Sequence, residues 1–517
     1  MIVVAGILPG NQSFPVRQRV NRMHNPDVVI IGGGIGGLVS AGLLAREGMR
    51  VHLLEKESKV GGYVTGFWRE GFYFDATCAF VSACSPGDEL HTILKELGIS
   101  DELTFLPIAD VWNIYPDFDL RINYQNPMAY LEEVKKHFPE YSKALESYSA
   151  LTIRLGSEFL DFEQSSWWRR IFLPFFFPTL FRYVRKSHAE IFRKFFDGNP
   201  GITLALSNLP TTLPPSALSY AFVAVLWAKV LGGGVFYPKG GMLTLSEKLA
   251  KGVRAHGGQI TCNQEVTRIL TKGRKATGVE LSNGEEIHAK WVIADINPFQ
   301  GQCLLPDNLR LYGSMHRLEK YRPSLSALLF YVALPAESLP PRWPYFTSVH
   351  TTSDLEAMSN SLEAGSMEQG LHLVITTPTL MDPSLAPSGC HSLKIIVNAP
   401  RVDLFEKYYQ SSKALDQLQD KVFSTVHSYT GFDIKSHALF VERATPSTLF
   451  SRTGNEGGAM YGLDAACGQV GPQRPPNRTA LNNLMWVGHY THPAHGIVGC
   501  GMSGRFASKV ILSRGSN

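Results

Sequence analysis

The fold is decided by residues 26–57, which read PDVVIIGGGIGGLVSAGLLAREGMRVHLLEKE. The apolar run at residues 28–31 predicts a strand buried in a parallel sheet, and residues 38–46 predict a helix. A second apolar run, residues 51–54, ends at Glu55. Two strands joined through a helix by short loops predict a Rossmann-type unit.

The loop between the first strand and the helix carries the pattern G-x-G-x-x-G, formed by Gly32, Gly34 and Gly37 with Gly36 inside it. The first glycine of such a pattern permits a tight turn, the second lets backbone approach a pyrophosphate, and the third allows close packing of helix on strand. Phosphates would bind at the helix N-terminus, and Glu55 could accept hydrogen bonds from ribose hydroxyls. The pattern predicts a dinucleotide site; the alternative is a Rossmann unit without a nucleotide.

The residues after the second strand distinguish between classes of dinucleotide-binding protein. Glu55, Lys56, Gly61 and Gly62 form a segment that resembles the E-(K/R)-x-x-x-x-G-G segment of one flavoprotein superfamily. That superfamily contains amine oxidases, phytoene desaturases and Rab escort proteins, and its glycine pair lets the chain pass close to the cofactor. The resemblance therefore implies that these residues bind FAD rather than NAD.

The composition argues against several classes of protein. Lys and Arg outnumber Asp and Glu by only 49 to 45, a net charge of +4, which does not support nucleic-acid binding. The seven cysteines include no C-x-x-C pair, so neither a disulfide framework nor a zinc site is expected and a reducing compartment is indicated. No apolar run reaches the roughly 18 residues that span a bilayer. Residues 1–25 are expected to be a disordered leader, with an organelle-targeting peptide as the alternative.

Residues 167–186 read WWRRIFLPFFFPTLFRYVRK and have the most unusual composition in the chain. Large aromatic residues alternate there with basic ones: Trp167, Trp168, Phe172, Phe175, Phe176, Phe177 and Phe181 with Arg169, Arg170, Arg182, Arg185 and Lys186. This mixture suits a segment in a membrane interface, with cations at the lipid headgroups and rings below them. The alternative is a buried aromatic segment with a solvated basic edge.

Residues 483–507 read NLMWVGHYTHPAHGIVGCGMSGRFA. A short strand is expected to end at Gly488, a loop with His492 and His495 follows, and a helix punctuated by glycines is expected to begin near Ile497. The N-terminus of that helix would suit the pyrimidine side of a flavin, where negative charge develops on reduction.

Three motifs, together with the N-terminal fingerprint, carry a more specific resemblance. Residues 491–504 resemble the phytoene desaturase signature T-H-P-x-x-G-I-x-G followed by S-G. Residues 237–242, YPKGGM, resemble Y-P-x-G-G-M, and residues 457–462, GGAMYG, resemble G-G-A-x-Y-G. On these motifs the chain is identified as a member of the phytoene desaturase, carotenoid isomerase and retinol saturase family.

The resemblance implies further residues at the cofactor: Gly240, Gly241, Val266, Gly488, Gly496, Ile497 and Met502. The chain departs from the family pattern at Ala494, His495 and Val498, where the desaturases usually carry Gly, Ala and Pro, and at Tyr490, which replaces a small residue. Larger side chains beside the flavin could change the substrate pose, so desaturation, saturation and cis–trans isomerisation all stay open.

The order of these patterns predicts an α/β protein. A discontinuous Rossmann-like FAD-binding domain is expected beside an α+β substrate domain that carries a helical, membrane-facing part. The predicted segments are a leader at 1–25, the FAD-binding domain at 26–112, 238–297 and 484–517, the helical part at 113–237, and the substrate domain at 298–483.

The family resemblance implies an FAD-dependent oxidoreductase that acts on the double bonds of a long isoprenoid or polyene drawn from a membrane into a hydrophobic tunnel. His495 is the one candidate catalytic residue, because an imidazole near the flavin could pass a proton; the alternative is a histidine satisfied by loop carbonyls. His492 is expected to be structural, and no metal site is expected because no further ligands cluster nearby. A quinone, oxygen or reduced nicotinamide would complete the redox cycle.

Two other classes remain as alternatives: a non-enzymatic prenyl-group carrier of the Rab escort type, and an amine oxidase-like flavoenzyme. The expected location is peripheral or monotopic on a membrane, facing a reducing compartment such as the cytoplasm or a plastid-like space.

Overall fold

The computed structural model of the protein describes residues 25–123, 126–207, 211–310, 318 and 320–515. The predicted leader, residues 1–25, lies outside this part of the chain except for Asn25. Within the described residues, no helix combines the length and the apolar character that crossing a membrane requires.

A five-stranded parallel sheet organises one half of the fold. In spatial order its strands are Gln259–Thr261, Val51–Leu54, Val28–Ile31, Trp291–Ala294 and Leu484–Trp486. The central strand is buried on both faces, because helices pack on one side and a smaller antiparallel sheet packs on the other. That smaller sheet consists of Val266–Lys272, Lys275–Leu281 and Glu286–His288.

Three long helices cover the parallel sheet: Ile35–Arg46, Met242–Ala255 and Gly496–Gly515. The first of them is buried along nearly its whole length, because the other two pack against it. Small residues allow the helices Ile35–Arg46 and Gly496–Gly515 to lie close together. A Cβ placed on Gly504 would lie only 2.9 Å from the Ser40 Oγ, so a larger residue there would force them apart.

A mostly antiparallel sheet of seven strands organises the other half. Its strands in spatial order are Phe440–Ala444, Ser326–Pro335, Cys390–Ala399, His372–Thr376, Phe346–His350, Asp110–Ile114 and Asp119–Asn123. The pair Phe346–His350 and Asp110–Ile114 runs parallel, and the other neighbouring pairs run antiparallel.

A layer of helices packs against this sheet: Pro127–His137, Ser142–Gln164, Trp167–Ile171, Leu173–Phe176, Pro178–Tyr183, His188–Phe196, Pro200–Leu206 and Tyr220–Gly233. The longest of them buries Leu145, Tyr148, Thr152, Leu155 and Phe159, which recur at helical spacing. It packs closely on Tyr220–Gly233, so the helical layer and the sheet share one core.

The aromatic and basic run is broken into three short helices, two of which carry a proline in the first turn. Most of its large apolar side chains are exposed: Trp167, Trp168, Ile171, Phe172, Phe175, Phe176 and Phe181, which we call the aromatic patch. Phe177 was predicted to belong with them, and that prediction is wrong. Its ring is fully buried and packs edge-on against Phe162, with 5.5 Å between the ring centroids.

The remaining helices are Glu89–Glu96, Pro298–Gly301, Asp307–Arg310, Leu355–Glu363, Val402–Tyr409, Ser412–Thr430, Ile434–His437 and Pro446–Thr453. The remaining strands form a pair, Gly66–Arg69 with Phe72–Asp75, and a three-stranded sheet, Val81–Ser82, Val235–Pro238 and Phe105–Pro107. Two predicted domain boundaries need correction, since those at residues 112–113 and 237–238 fall inside the strands Asp110–Ile114 and Val235–Pro238. At the first boundary the chain enters the seven-stranded sheet before the helical layer begins, and at the second it pairs with Val81–Ser82 and Phe105–Pro107 in the three-stranded sheet.

Candidate active site

One large cavity lies where the two halves of the fold meet. It has a volume of about 1570 Å³, and its lining runs from the carboxyl ends of the parallel strands to the seven-stranded sheet and the helical layer. Ligands of open α/β sheets bind at the carboxyl ends of the strands. A drug-sized ligand occupies a pocket of roughly 300–1,000 Å³, so this cavity has room for a dinucleotide and a second molecule.

The glycine loop forms one end of the cavity. Gly34 caps the helix Ile35–Arg46 without a side-chain hydrogen bond, and no acidic residue lies in the first turn. Among the described residues, the backbone N–H groups of Ile35 and Gly36 have no acceptor. Unpaired N–H groups at a helix N-terminus attract anions. This end of the cavity can therefore hold phosphates.

Glu55 ends the neighbouring strand and faces the same cavity. Its Oε2 accepts a hydrogen bond of 2.6 Å from the Gly33 N–H, and its Oε1 accepts one of 2.9 Å from the Glu57 N–H. Burial raises the pKa of Glu55, while the two backbone donors act in the opposite direction. Each carboxylate oxygen keeps a free lone pair for a ribose hydroxyl. Val266 lines the cavity alongside.

Asp295 lies directly after the strand Trp291–Ala294, and sequence reasoning missed it. Its Oδ2 accepts a 2.7 Å hydrogen bond from the Gly37 N–H in the first turn of the fingerprint helix. Burial raises the pKa of Asp295 to about 7, and the Gly37 hydrogen bond only partly opposes this. The signal that could have found it is its position, because an acid at the end of a parallel strand next to the fingerprint strand must face the glycine loop.

His489 follows the last parallel strand and was also missed. Its Nε2 lies 3.2 Å from the Asn455 Nδ2, and its ring lies near Tyr63 in the cavity wall. Burial, together with the positive charge of Arg474, lowers the pKa of His489 to about 3. The imidazole is therefore neutral. Arg474 is buried and donates to the carbonyl oxygens of Thr491 and His489, which fixes the loop.

The two predicted loop histidines have different environments. The His492 Nε2 lies 2.7 Å from the Glu163 Oε2, which ties the loop to the end of the helix Ser142–Gln164. The His495 ring lies between Phe222 and Tyr461, with centroid distances of 5.1 and 5.3 Å, and lines the cavity.

Most of the predicted site residues meet in this cavity: Gly32, Gly34, Glu55, Lys56, Gly61, Gly62, Val266, His495, Gly496, Ile497 and Met502. Gly36, Gly37 and Gly488 are next to lining residues in the chain or one residue further on, and their lack of side chains allows close packing. A Cβ on Gly36 would lie 3.0 Å from the Gly488 nitrogen.

Gly240 and Gly241 were predicted at the cofactor, and the structure places both outside the lining of the cavity. The backbone N–H groups that could bind an anion at this glycine pair already donate to carboxylates of the chain itself. The Gly240 N–H donates to the Asp382 Oδ2 at 2.8 Å, and the Met242 N–H donates to the Asp75 Oδ1 at 2.8 Å.

Comparison with known proteins agrees with this geometry. A family profile described as "Flavin containing amine oxidoreductase" matches residues 35–298, a little more than half of the chain. Among solved structures, a variant of putrescine oxidase has a TM-score of 0.65 at 15% identity and covers 95% of this chain and 99% of its own. Cyclohexylamine oxidase from Brevibacterium oxydans has a TM-score of 0.59 at 15% identity, with coverage of 94% and 100%.

Named relatives cover nearly the whole chain as well. Prolycopene isomerase 1, chloroplastic, of an Oncidium hybrid cultivar is 26% identical over 94% of this chain and 84% of that protein. The zeta-carotene-forming phytoene desaturase of Myxococcus xanthus is 25% identical over 94% of each.

The fold and the site define a dinucleotide-dependent oxidoreductase of mixed α/β architecture. The chain belongs to the flavin-containing amine oxidoreductases, and its cofactor is FAD. The residues present fit this cofactor, with unpaired amides at Ile35 and Gly36 for the pyrophosphate and the Glu55 carboxylate for the ribose.

Proposed function

We propose that this protein is an FAD-dependent oxidoreductase that desaturates, saturates or isomerises the double bonds of a long hydrophobic isoprenoid or polyene. The observation that carries the proposal is the apolar extension of the cavity beyond the dinucleotide end. Its walls come from the helical layer and from the sheet: Phe159, Leu160, Phe222, Val225, Leu226, Phe346, Val374 and Ile396. Apolar ligands bind in such channels because the walls exclude water.

The relatives support the same substrate class. The proteins named above are a prolycopene isomerase and a phytoene desaturase, and both cover nearly the full length of this chain. The chain also retains the T-H-P loop, which here forms part of the cavity wall. An amine substrate is less well supported. The amine oxidases with similar structures share the fold with this chain, but their sequence identity to it is only 15%.

The aromatic patch is proposed as the surface that meets a membrane. Phe175 is 82% exposed and Trp167 is 73% exposed, which is unusual for large apolar side chains. Arg170, Arg182 and Arg185 are exposed in the same segment and can contact lipid headgroups. Arg170 also lines the cavity, which supports entry of a lipid-soluble substrate beside the aromatic patch.

FAD, when bound, supplies the hydride chemistry, and the chain supplies orientation and exclusion of water. The unpaired helix amides and Glu55 hold the dinucleotide end. His489 is neutral, so it adds no charge beside an apolar substrate. His495 is proposed to hold a proton at the cavity or to stabilise charge on a polarised polyene, helped by the aromatic rings of Phe222 and Tyr461 beside it.

The proposed function also suggests where the enzyme is located and which redox partner it uses. We propose a peripheral or monotopic location on a membrane that faces a reducing compartment, cytoplasmic or plastid-like, because all seven cysteines are free. We propose a quinone, oxygen or reduced nicotinamide as redox partner. The discontinuous FAD-binding domain, the helical part and the substrate domain are proposed as one functional unit around the cavity.

The test is anaerobic spectroscopy of the protein purified in mild detergent. Phytoene, lycopene and a long-chain alkylamine are added separately to the oxidised and to the reduced holoprotein. A polyene band that shifts while the flavin changes redox state supports the proposal, and the direction of the shift separates desaturation from saturation. A shift that needs reduced flavin without net flavin oxidation indicates isomerisation. Flavin reduction by the alkylamine alone would overturn the proposal in favour of an amine oxidase.

A further inference from the structure

The cavity face of the seven-stranded sheet carries a row of polar side chains on three neighbouring strands. His350 and His372 lie directly opposite each other on neighbouring strands. Leu373 is paired with Val397, and this register places Asn398 beside His372 on the next strand. We call His350, His372 and Asn398 the polar row. His372 and Asn398 line the cavity, and His350 stacks behind His372 with 4.0 Å between ring centroids.

The chain leaves much of this row without hydrogen bonds. The His372 Nε2 lies 3.1 Å from the Ser348 Oγ. Among the described residues, both ring nitrogens of His350 lack a partner although only 3% of the residue is exposed. The Asn398 amide makes no hydrogen bond to any described residue either. Polar atoms in a protein interior are nearly always paired, so the Asn398 amide, which is half-buried and lines the cavity, is available to a ligand or water.

The row offers uncharged groups only. Burial lowers the pKa of His372 to about 4, and the pKa of His350 lies well below its usual range for the same reason and because of His372. Each neutral imidazole presents one donor and one acceptor, and the Asn398 amide presents both kinds. Lys394 lies on the same face of the Asn398 strand, but its Nζ donates to the carbonyl oxygens of Thr77 and Cys78 at 3.0 and 2.7 Å.

We propose that His372 and Asn398 form a subsite for an uncharged oxygen function, a hydroxyl or a carbonyl, on the isoprenoid ligand. This proposal rests on the proposed function and narrows its substrate class to oxygenated polyenes. A carboxylate is disfavoured, because neutral imidazoles would not compensate its charge in a buried site. A plain hydrocarbon would displace water from these groups and leave them unpaired, which is how a polar site rejects an analogue that lacks the matching group.

The test compares lycopene with 1-hydroxy-1,2-dihydrolycopene, which differs from it by the addition of water across one terminal double bond outside the conjugated chain. Dissociation constants for the detergent-purified holoprotein come from gel filtration with pigment quantified by absorbance. The two pigments distribute differently into micelles, so the measured quantity is the ratio of the two dissociation constants in each variant relative to the wild type. Micelle effects cancel in this comparison.

Asn398→Leu and His372→Phe each remove one hydrogen-bonding group while keeping a branched or a planar side chain of similar shape. Loss of a hydrogen bond that leaves a buried group unpaired costs more than the bond alone, so the preference for the hydroxylated pigment should fall about tenfold, or about 1.4 kcal/mol, in each variant. Ile396→Val is the matched control, because Ile396 lies on the same strand and face and lines the same cavity. It should leave the ratio unchanged. Flavin content equal to that of the wild type verifies folding.

Other outcomes overturn the proposal in distinguishable ways. If both pigments bind and neither polar variant changes the ratio, the polar row is a water site, and the proposed function stands without this subsite. If neither pigment binds the wild type, the proposed function fails and this inference fails with it. If Ile396→Val changes the ratio as strongly as the polar variants, the effect is one of shape and the proposal is overturned.

Discussion

Replacing Phe172 and Phe175 together with serine is expected to release the protein from lipid membranes. Phe175 is 82% exposed and Phe172 is 52% exposed in the structure. Full burial of a phenylalanine contributes roughly 1.5–3 kcal/mol, so burial of these exposed fractions in a membrane contributes roughly 2–4 kcal/mol. Since about 1.4 kcal/mol corresponds to a tenfold change in a binding constant, the double variant should bind membranes at least about 30-fold more weakly.

Sedimentation with vesicles of phosphatidylcholine and phosphatidylglycerol measures this loss over a range of lipid concentrations. The matched control replaces Leu439 and Phe450 with serine, because these residues are 55% and 42% exposed but lie outside the aromatic patch. Equal vesicle binding by the Phe172/Phe175 variant and the wild type would refute the reasoning, as would an equal loss in the control. Phe177 is left intact, because truncating a buried phenylalanine destabilises the fold by roughly 3–5 kcal/mol.

Three further predictions concern the cavity. Glu55→Ala should lower the flavin-to-protein absorbance ratio of the purified protein, because it removes the acceptor for the ribose, and an undiminished ratio would contradict the assignment. His495→Ala should slow polyene turnover more than it lowers flavin content, whereas unchanged turnover would make the residue structural. Burial raises the pKa of Asp295 from 3.8 to about 7, so its contribution to stability is present below pH 4 and is lost as the pH rises through 7. The unfolding free energy of Asp295→Asn should therefore rise relative to that of the wild type between pH 5 and 8 by about 3 kcal/mol, visible as a rising relative thermal midpoint, and a constant difference would refute the shift.

Some parts of the site could be predicted because their conformation depends on residues that are close together in the sequence. A glycine loop between an apolar strand and a helix fixes where phosphates bind, and the acid after the next strand, Glu55, is fixed by the same short unit. The C-terminal helix was expected near Ile497 and runs over Gly496–Gly515. These features depend on neighbouring residues in the sequence, so composition and spacing sufficed.

The missed features depend on contacts between distant residues. Asp295 and His489 face the cavity because their strands lie first and second beside the fingerprint strand in the parallel sheet, and no local pattern in the sequence predicts that order. Gly240 has a motif suited to an anion, but Asp382 occupies its amide from 142 positions away. Phe177 has the same local composition as Phe175, and only the packing of its short helix on the helical layer separates the buried ring from the exposed one.

The order of strands in the parallel sheet has a consequence for biosynthesis. The fingerprint strand Val28–Ile31 and its neighbour Val51–Leu54 are made first, whereas Leu484–Trp486 and the helix Gly496–Gly515, which complete the wall of the flavin cavity, are made last. At about 5–20 residues per second, the roughly 430 residues between them keep the ribosome occupied for about 20–90 s. During that interval the nascent chain exposes apolar strand edges and has no finished place for FAD. We therefore expect flavin to bind only after Leu484–Trp486 and Gly496–Gly515 have been synthesised, and a chain truncated before Leu484 should be purified without flavin.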